Sequence, residues 1–150
     1  MEDDIDIKKD PHELTLLIEK LDQLVGKDGW DVLFTDPDTK NNNGTYVPCY
    51  GYARKPNFEP KNPTRFHQKT RISEDFTQVG ARYGAYSMII KRSGMKKILD
   101  FIKTYKIFLP YDMEFYLCNN IKLYSLNYDL VSTKIKAKSD NGAPNYLNEN

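Results

Sequence analysis

The first long segment of the chain has apolar residues at helical spacing. These residues are Leu14, Leu17, Ile18, Leu21, Leu24 and Val25. They recur every three or four positions, which places them on one buried face of a helix. Asp10 before Pro11 is a typical helix start, and Gly26 is a typical stop. The pattern therefore predicts a helix between these two signals.

A second helix is predicted after Ser93, which can cap its first turn. Its apolar positions are Met95, Ile98, Leu99 and Ile102. Because they also follow helical spacing, we expect all four in the core. A short third helix is expected over residues 112–118, after the turn at Pro110.

Strands are predicted where short apolar runs contain β-branched and aromatic residues. Three such runs cover residues 30–35, 83–90 and 121–126, and the last of them alternates. Ile5 and Ile7 alternate as well, as at the end of a strand. Helices that alternate with strands in this order are typical of an α/β fold.

Residues 39–75 break every regular pattern with asparagine, glycine and four prolines. A connection this long is either functional or disordered. One interpretation gives it sugar-stacking and phosphate-binding side chains. Those side chains would be Tyr50, Tyr52, Phe58, Phe66, Arg54 and Arg65. A mobile, solvated surface loop is the interpretation that its composition favours.

Composition restricts the possible functions of this 150-residue chain. Its length suits one domain. With 22 Lys and Arg against 21 Asp and Glu, the formal charge is +1, which argues against binding to nucleic acid or to acidic lipid through bulk charge. Two cysteines are too few for a disulfide framework or a zinc module. No apolar run approaches the roughly 20 residues of a membrane span.

The acidic start, Glu2, Asp3 and Asp4, is the sharpest local feature. Neighbouring carboxylates repel one another unless a hard divalent cation lies between them. Mg²⁺ and Mn²⁺ prefer such oxygen ligands and also bind diphosphates. Two interpretations remain from the residues alone: a metal site and a solvated acidic terminus.

Three segments, taken together, resemble motifs of glycosyltransferase family 25. They are Met1-Glu2-Asp3-Asp4-Ile5, Gly84-Ala85-Tyr86 leading into the second predicted helix, and Leu109-Pro110-Tyr111-Asp112. Trp30-Asp31 fits a further strand of the family pattern, and Ser139-Asp140 weakly matches a late pair. The family includes bacterial lipooligosaccharide galactosyltransferases and collagen hydroxylysine galactosyltransferases. The resemblance spans residues 1 to about 140.

The resemblance implies a GT-A-like, Rossmann-related fold and transfer of a hexose, typically galactose, from a UDP-linked donor. It implies Mn²⁺, or Mg²⁺, held by Glu2, Asp3 and Asp4. Asp112 matches the aspartate of the family's Pro-x-Asp turn, and we expect it to act on the acceptor side or the metal side, with Glu114 as the second catalytic candidate. The alternative for Asp112 is a helix cap.

The implied setting is lipopolysaccharide or lipooligosaccharide biosynthesis. The expected partners are a nucleotide-sugar donor and a saccharide or glycolipid acceptor, with no nucleic acid. We expect a cytoplasmic protein, with at most peripheral contact with the inner membrane.

The chain departs from the family pattern at its N-terminus. In the family a substantial segment precedes the Glu-Asp-Asp motif, and here Met1 stands directly before it. We therefore expect residues 1–150 to form one N-terminally truncated glycosyltransferase domain, with a long loop at 39–75 and a flexible tail at 136–150. The alternative is an inactive remnant that binds a glycan or a protein.

Overall fold

The computed structural model describes residues 5–41 and 43–135. Seven strands are described: β1 (Ile5–Ile7), β2 (Val32–Phe34), β3 (Lys69–Arg71), β4 (Phe76–Val79), β5 (Met88–Ile90), β6 (Leu123–Leu126) and β7 (Val131–Thr133). Five of them form one sheet in the order β3-β4-β6-β2-β5. Within that sheet β2 and β6 are parallel, and the other neighbours are antiparallel. Strands β1 and β7 form a separate antiparallel pair.

The three described α-helices are α1 (Glu13–Val25), α2 (Arg92–Tyr105) and α3 (Tyr111–Glu114). Short 3-10 helices cover Pro63–His67 and Phe115–Leu117. Gly26 ends α1 with a φ of 85°, so the predicted first helix is confirmed. No described helix is both long enough and apolar enough to cross a membrane.

Helices cover both faces of the five-stranded sheet. On one face, Phe34 of β2 packs in a cluster with Ile98 and Phe101 of α2. On the other, Leu33 packs with Leu17 and Leu21 of α1. Successive residues of a strand point to opposite faces, so neighbouring residues of β2 serve different clusters. The α/β class that the sequence predicted is confirmed.

Asp31 ties the start of β2 to its surroundings. Its carboxylate accepts hydrogen bonds from Ser93 Oγ (2.7 Å), Lys97 Nζ (2.6 Å) and the Lys122 amide (2.9 Å). Burial acts to raise the pKa of Asp31, and these hydrogen bonds outweigh it, so the pKa lies below its ordinary value. The prediction that Ser93 caps α2 is wrong, because Ser93 lies inside the helix and Lys91 is the residue before it.

Several predicted boundaries are wrong. The predicted strand at 83–90 is reduced to β5, because Gly84 has a φ of 78°, which no strand accommodates. β3 lies inside the predicted loop at 39–75, and β4 directly follows it. All four residues of β6 are buried rather than alternating, since this strand is covered on both faces.

Three apolar positions of the two long helices also depart from expectation. Leu24 of α1 and Met95 and Leu99 of α2 are exposed, at 48%, 50% and 56%. Periodicity predicts which positions share a helix face, and it does not predict how much of that face the rest of the protein covers. The predicted tail at 136–150, with Ser139-Asp140, lies outside the described residues.

Candidate functional site

The carboxyl end of β2 leads into Asp36, which lies at the centre of a buried polar group. We call this group the Asp36 cluster: Asp36, Arg82, Tyr86 and Ser132. Arg82 donates to the Asp36 carboxylate and, at 2.7 Å, to its carbonyl oxygen. Ser132 Oγ donates to Oδ2 at 2.8 Å, and Tyr86 donates to the same oxygen. The cluster therefore joins β2, the segment before β5, and β7.

The Asp36 cluster is closed to solvent. Asp36 and Ser132 are fully buried, and Arg82 is 1% exposed. Burial acts to lower the pKa of Arg82, and the nearby Tyr86 and Asp36 outweigh it and raise that pKa. Burial also raises the pKa of Tyr86, so its hydroxyl stays a donor. Both oxygens of Asp36 are thus used to hold the fold together, and neither is left for a ligand.

Asp38 is also committed to internal contacts. Its Oδ2 accepts a hydrogen bond from Lys69 Nζ at 2.9 Å, and its Oδ1 accepts the Thr39 amide at 2.9 Å. Asp36 and Asp38 flank Pro37, and residues of an Asp-Pro-Asp turn either touch a substrate or only form the turn. The structure gives both carboxylates partners within the protein.

Asp112 lies against the Gly84-Ala85-Tyr86 segment. Its Oδ2 accepts the Gly84 amide at 3.1 Å. This bond connects the second and third segments that carry the family resemblance. The two bonded residues are 28 positions apart in the chain. Oδ1 of Asp112 accepts no hydrogen bond from the described residues, so the half-buried carboxylate keeps one oxygen for another partner.

Gly84 has to be a glycine for this contact to form. Its φ of 78° lies in the left-handed region, and a Cβ there would approach Tyr86 Cε1 to 2.7 Å and Thr39 Oγ1 to 2.9 Å. Tyr86 in turn reaches Asp36. Asp112, Gly84, Tyr86 and Asp36 therefore form one continuous chain of contacts.

Glu114, the second catalytic candidate, is 2% exposed and faces inward. Its Oε1 accepts Lys55 Nζ at 2.9 Å and the Phe108 amide at 2.6 Å, together with the Leu109 amide. Burial acts to raise the pKa of Glu114, and the bonds from Leu109, Lys55 and Phe108 outweigh it and lower that pKa. Its Oε2 is buried without a partner. This arrangement anchors the segment before α3, and a direct catalytic role for Glu114 stays a prediction.

The predicted metal ligands Glu2, Asp3 and Asp4 lie outside the described residues. They directly precede Ile5, whose strand β1 pairs with β7 so that Asp6 lies opposite Ser132. Ser132 belongs to the Asp36 cluster. Among residues 5–41 and 43–135, no three acidic, histidine or cysteine side chains are arranged to hold a metal ion.

The predicted aromatic and basic loop is an ordered part of the core. Phe58 is 7% exposed and packs edge-on against Phe101, and Phe66 is fully buried. Arg65 donates to three successive carbonyls at Tyr116, Leu117 and Cys118. The expectation of a solvated surface loop is wrong for these residues. Sugar stacking by the two phenylalanines is wrong for the same reason, and phosphate binding by Arg65, which is partly buried, stays a prediction.

Of the six side chains predicted to stack on sugars or to bind phosphate, Tyr50 and Arg54 are exposed. The sequence missed the Asp36 cluster, because its members lie 46, 50 and 96 positions from Asp36. The available signal was the Asp36-Pro37-Asp38 turn at the end of a buried strand, since polar residues at strand ends often face a site.

Known proteins give no independent assignment. No protein-family model matches the chain, and no curated protein and no solved structure matches it.

Proposed function

We propose that this chain belongs to a metal-assisted hexosyltransferase that transfers a sugar such as galactose from a UDP-linked donor to a saccharide or glycolipid acceptor. The observation that carries the proposal is the hydrogen bond from the Gly84 amide to Asp112. It joins two segments, far apart in the sequence, that resemble motifs of glycosyltransferase family 25. A chance match of short motifs gives no reason for them to touch.

Asp112 is the carboxylate best suited to act on the acceptor. A transfer that inverts the anomeric carbon needs a base beside the attacking hydroxyl. The Gly84 amide holds Oδ2 and thereby orients the carboxylate, which leaves Oδ1 to take a proton or to bind a cation. A helix cap, the alternative for Asp112, would have its oxygen on an amide of α3, and no side chain caps that helix within the described residues.

The chemistry that a bound Mn²⁺ or Mg²⁺ would supply is the neutralisation of charge on the departing diphosphate. Glu2, Asp3 and Asp4 are the residues we assign to hold it. The Asp36 cluster would stabilise β7 through Ser132, and β7 pairs with β1, the strand that follows these residues in the chain.

Glu114 contributes as a positioning residue in this proposal. By accepting the Phe108 and Leu109 amides it fixes the turn that carries Asp112. We further propose that the reaction takes place in the cytoplasm, in the assembly of lipooligosaccharide or lipopolysaccharide.

The test measures the melting temperature with UDP and MnCl₂, together with UDP release from UDP-galactose. We expect UDP and Mn²⁺ together to raise the melting temperature. We expect Asp112→Asn and Asp3→Asn/Asp4→Asn to lower UDP release by at least about a hundredfold, the usual scale for a catalytic acid or base. The matched control is Asp100→Asn, an exposed carboxylate of α2 paired with Lys96, which should leave the rate unchanged.

Two results would contradict the proposal. One is a melting temperature that responds to neither UDP nor Mn²⁺, which would favour the non-catalytic remnant that binds a glycan or a protein. The other is UDP release that Asp112→Asn and Asp100→Asn affect equally.

A further inference from the structure

The exposed side of α2 carries apolar side chains that the rest of the described protein leaves uncovered. Met95 is 50% exposed and Leu99 is 56% exposed. They are four positions apart, so they lie side by side along the helix. A single exposed apolar residue needs no explanation, and a contiguous set marks an interaction surface.

The segment that directly follows α2 also exposes apolar side chains. Ile107 is 70% exposed and Phe108 is 61% exposed, the former the highest value among the large exposed hydrophobic residues of the described chain. Tyr111, at the start of α3, is 42% exposed. Five of the eleven large exposed hydrophobic residues thus fall between positions 95 and 111.

The segment that presents Ile107 and Phe108 is held in place by a buried ion pair. Lys55 is fully buried and donates to the Lys106 carbonyl, and Glu114 accepts the Phe108 amide at 2.6 Å. Lys106 turns the chain with a φ of 60°. The backbone that carries Ile107 and Phe108 is therefore anchored, and it holds both apolar side chains in contact with solvent.

Positive charges surround this apolar surface. Arg92, Lys96, Lys103 and Lys106 are exposed, and Asp100 is the one acidic residue between positions 92 and 111. Arg92 lies three positions before Met95 and Lys103 lies four positions after Leu99, so these two charges lie beside the apolar pair on α2. Lys106 follows the end of the helix. Asp100 is paired with Lys96 at 3.0 Å. Basic residues therefore outnumber acidic ones along this stretch, although the formal charge of the whole chain is only +1.

We propose that this surface, which we call the α2 face (Arg92, Met95, Leu99, Lys103, Lys106, Ile107 and Phe108), docks on a lipid bilayer that contains anionic phospholipids. Apolar side chains flanked by Lys and Arg are the pattern of segments that lie in a membrane interface. The cores of protein–protein interfaces are depleted in lysine, whereas anionic headgroups attract it. The proposal does not rest on the transferase assignment, because it concerns a surface and not a reaction.

The first experiment measures co-sedimentation of the full chain with vesicles of phosphatidylcholine alone and of phosphatidylcholine with one third phosphatidylglycerol. We expect binding to the anionic vesicles only, and a decrease at high salt. Ile107→Ser/Phe108→Ser should weaken that binding about tenfold. The control variant is Leu16→Ser/Leu24→Ser, two exposed apolar residues of α1, which should bind like the unmodified chain.

A charge variant tests the second half of the proposal. Arg92→Gln/Lys103→Gln should weaken binding to the anionic vesicles about tenfold, and Lys27→Gln/Lys61→Gln, which removes two other exposed charges, should not. The proposal is overturned if the unmodified chain binds neither vesicle, if it binds both equally, or if Ile107→Ser/Phe108→Ser binds as before. The unmodified chain could instead fail to bind vesicles and form a dimer that Ile107→Ser/Phe108→Ser abolishes. That result would show that a second copy of the chain covers the α2 face.

Discussion

Asp36 and Asp112 both accept a hydrogen bond from the Gly84-Ala85-Tyr86 segment, and the fold uses them differently. Asp36 is fully buried, and Arg82, Tyr86 and Ser132 occupy its oxygens. Asp112 is half-buried and receives one described hydrogen bond, from Gly84. The comparison separates a carboxylate that maintains the structure from one that is available for chemistry.

The difference follows from what each carboxylate can exchange with solvent. A buried charge is tolerated when its partners are complete, and removing one partner is costly. A carboxylate that reacts has to reach a substrate and exchange a proton or a cation. We therefore expect substitutions in the Asp36 cluster to affect stability and substitutions at Asp112 to affect activity.

The largest effect is expected for Arg82→Met. It would leave the Asp36 carboxylate buried without its cation, so the free energy of unfolding should fall by about 3–5 kcal/mol. Urea unfolding followed by circular dichroism measures it. The control is Arg71→Met on the exposed edge of β3, which should change the same free energy by less than about 1 kcal/mol. Equal effects of the two substitutions would contradict a structural role for the cluster.

A slightly smaller effect is expected for Lys55→Met, which leaves the buried Glu114 carboxylate without its cationic partner. The free energy of unfolding should fall by about 3 kcal/mol. The double variant Lys55→Met/Glu114→Gln should recover part of that loss, because glutamine carries no charge. A double variant less stable than Lys55→Met alone would show that the ion pair is not what anchors this turn.

Acid should destabilise the protein through Asp31 and Glu114. The pKa of each lies below its ordinary value in the folded protein. Each group therefore contributes stability that is complete above about pH 5 and is lost as the pH falls through its folded pKa. Urea midpoints measured from pH 6 to pH 3 should decrease, and less so in Lys55→Met/Glu114→Gln. A midpoint independent of pH would contradict the two lowered pKa values.

The smallest effect on stability is expected for Asp112→Asn. The amide oxygen of asparagine can still accept the Gly84 hydrogen bond, so the free energy of unfolding should change by less than about 1 kcal/mol. Thermal and urea unfolding measure it. A loss as large as that of Arg82→Met would mean that Asp112, like Asp36, maintains the structure, and the comparison between the two would fail.

The sequence predicts the helices and the central strands well, because their signals are local. The spacing from Leu14 to Val25 and the stop at Gly26 define α1 to within a few residues. The buried run at Val32–Phe34 is a strand, as predicted. Residues 69–71 were missed, because the prolines and asparagines before them are typical of loops and β3 depends on pairing with β4.

The candidate site was predicted only in part. Asp112 and Gly84 were singled out by their motifs, and the structure brings them together. The burial of Asp36 depends on Arg82 and Ser132, which are distant in sequence, so no local pattern indicates it. The same limit applies to Met95 and Leu99, whose spacing predicts a common face but not its exposure.

We propose that Glu2, Asp3, Asp4 and Asp112 bind one metal ion. Paramagnetic broadening by Mn²⁺ tests this proposal most directly. We predict that small amounts of Mn²⁺ with UDP broaden the Gly84 amide resonance in the NMR spectrum far more than that of Gly26, which ends α1 before the opposite end of β2. The effect should disappear in Asp3→Asn/Asp4→Asn. A Gly84 resonance that stays sharp at saturating Mn²⁺ and UDP would contradict the account.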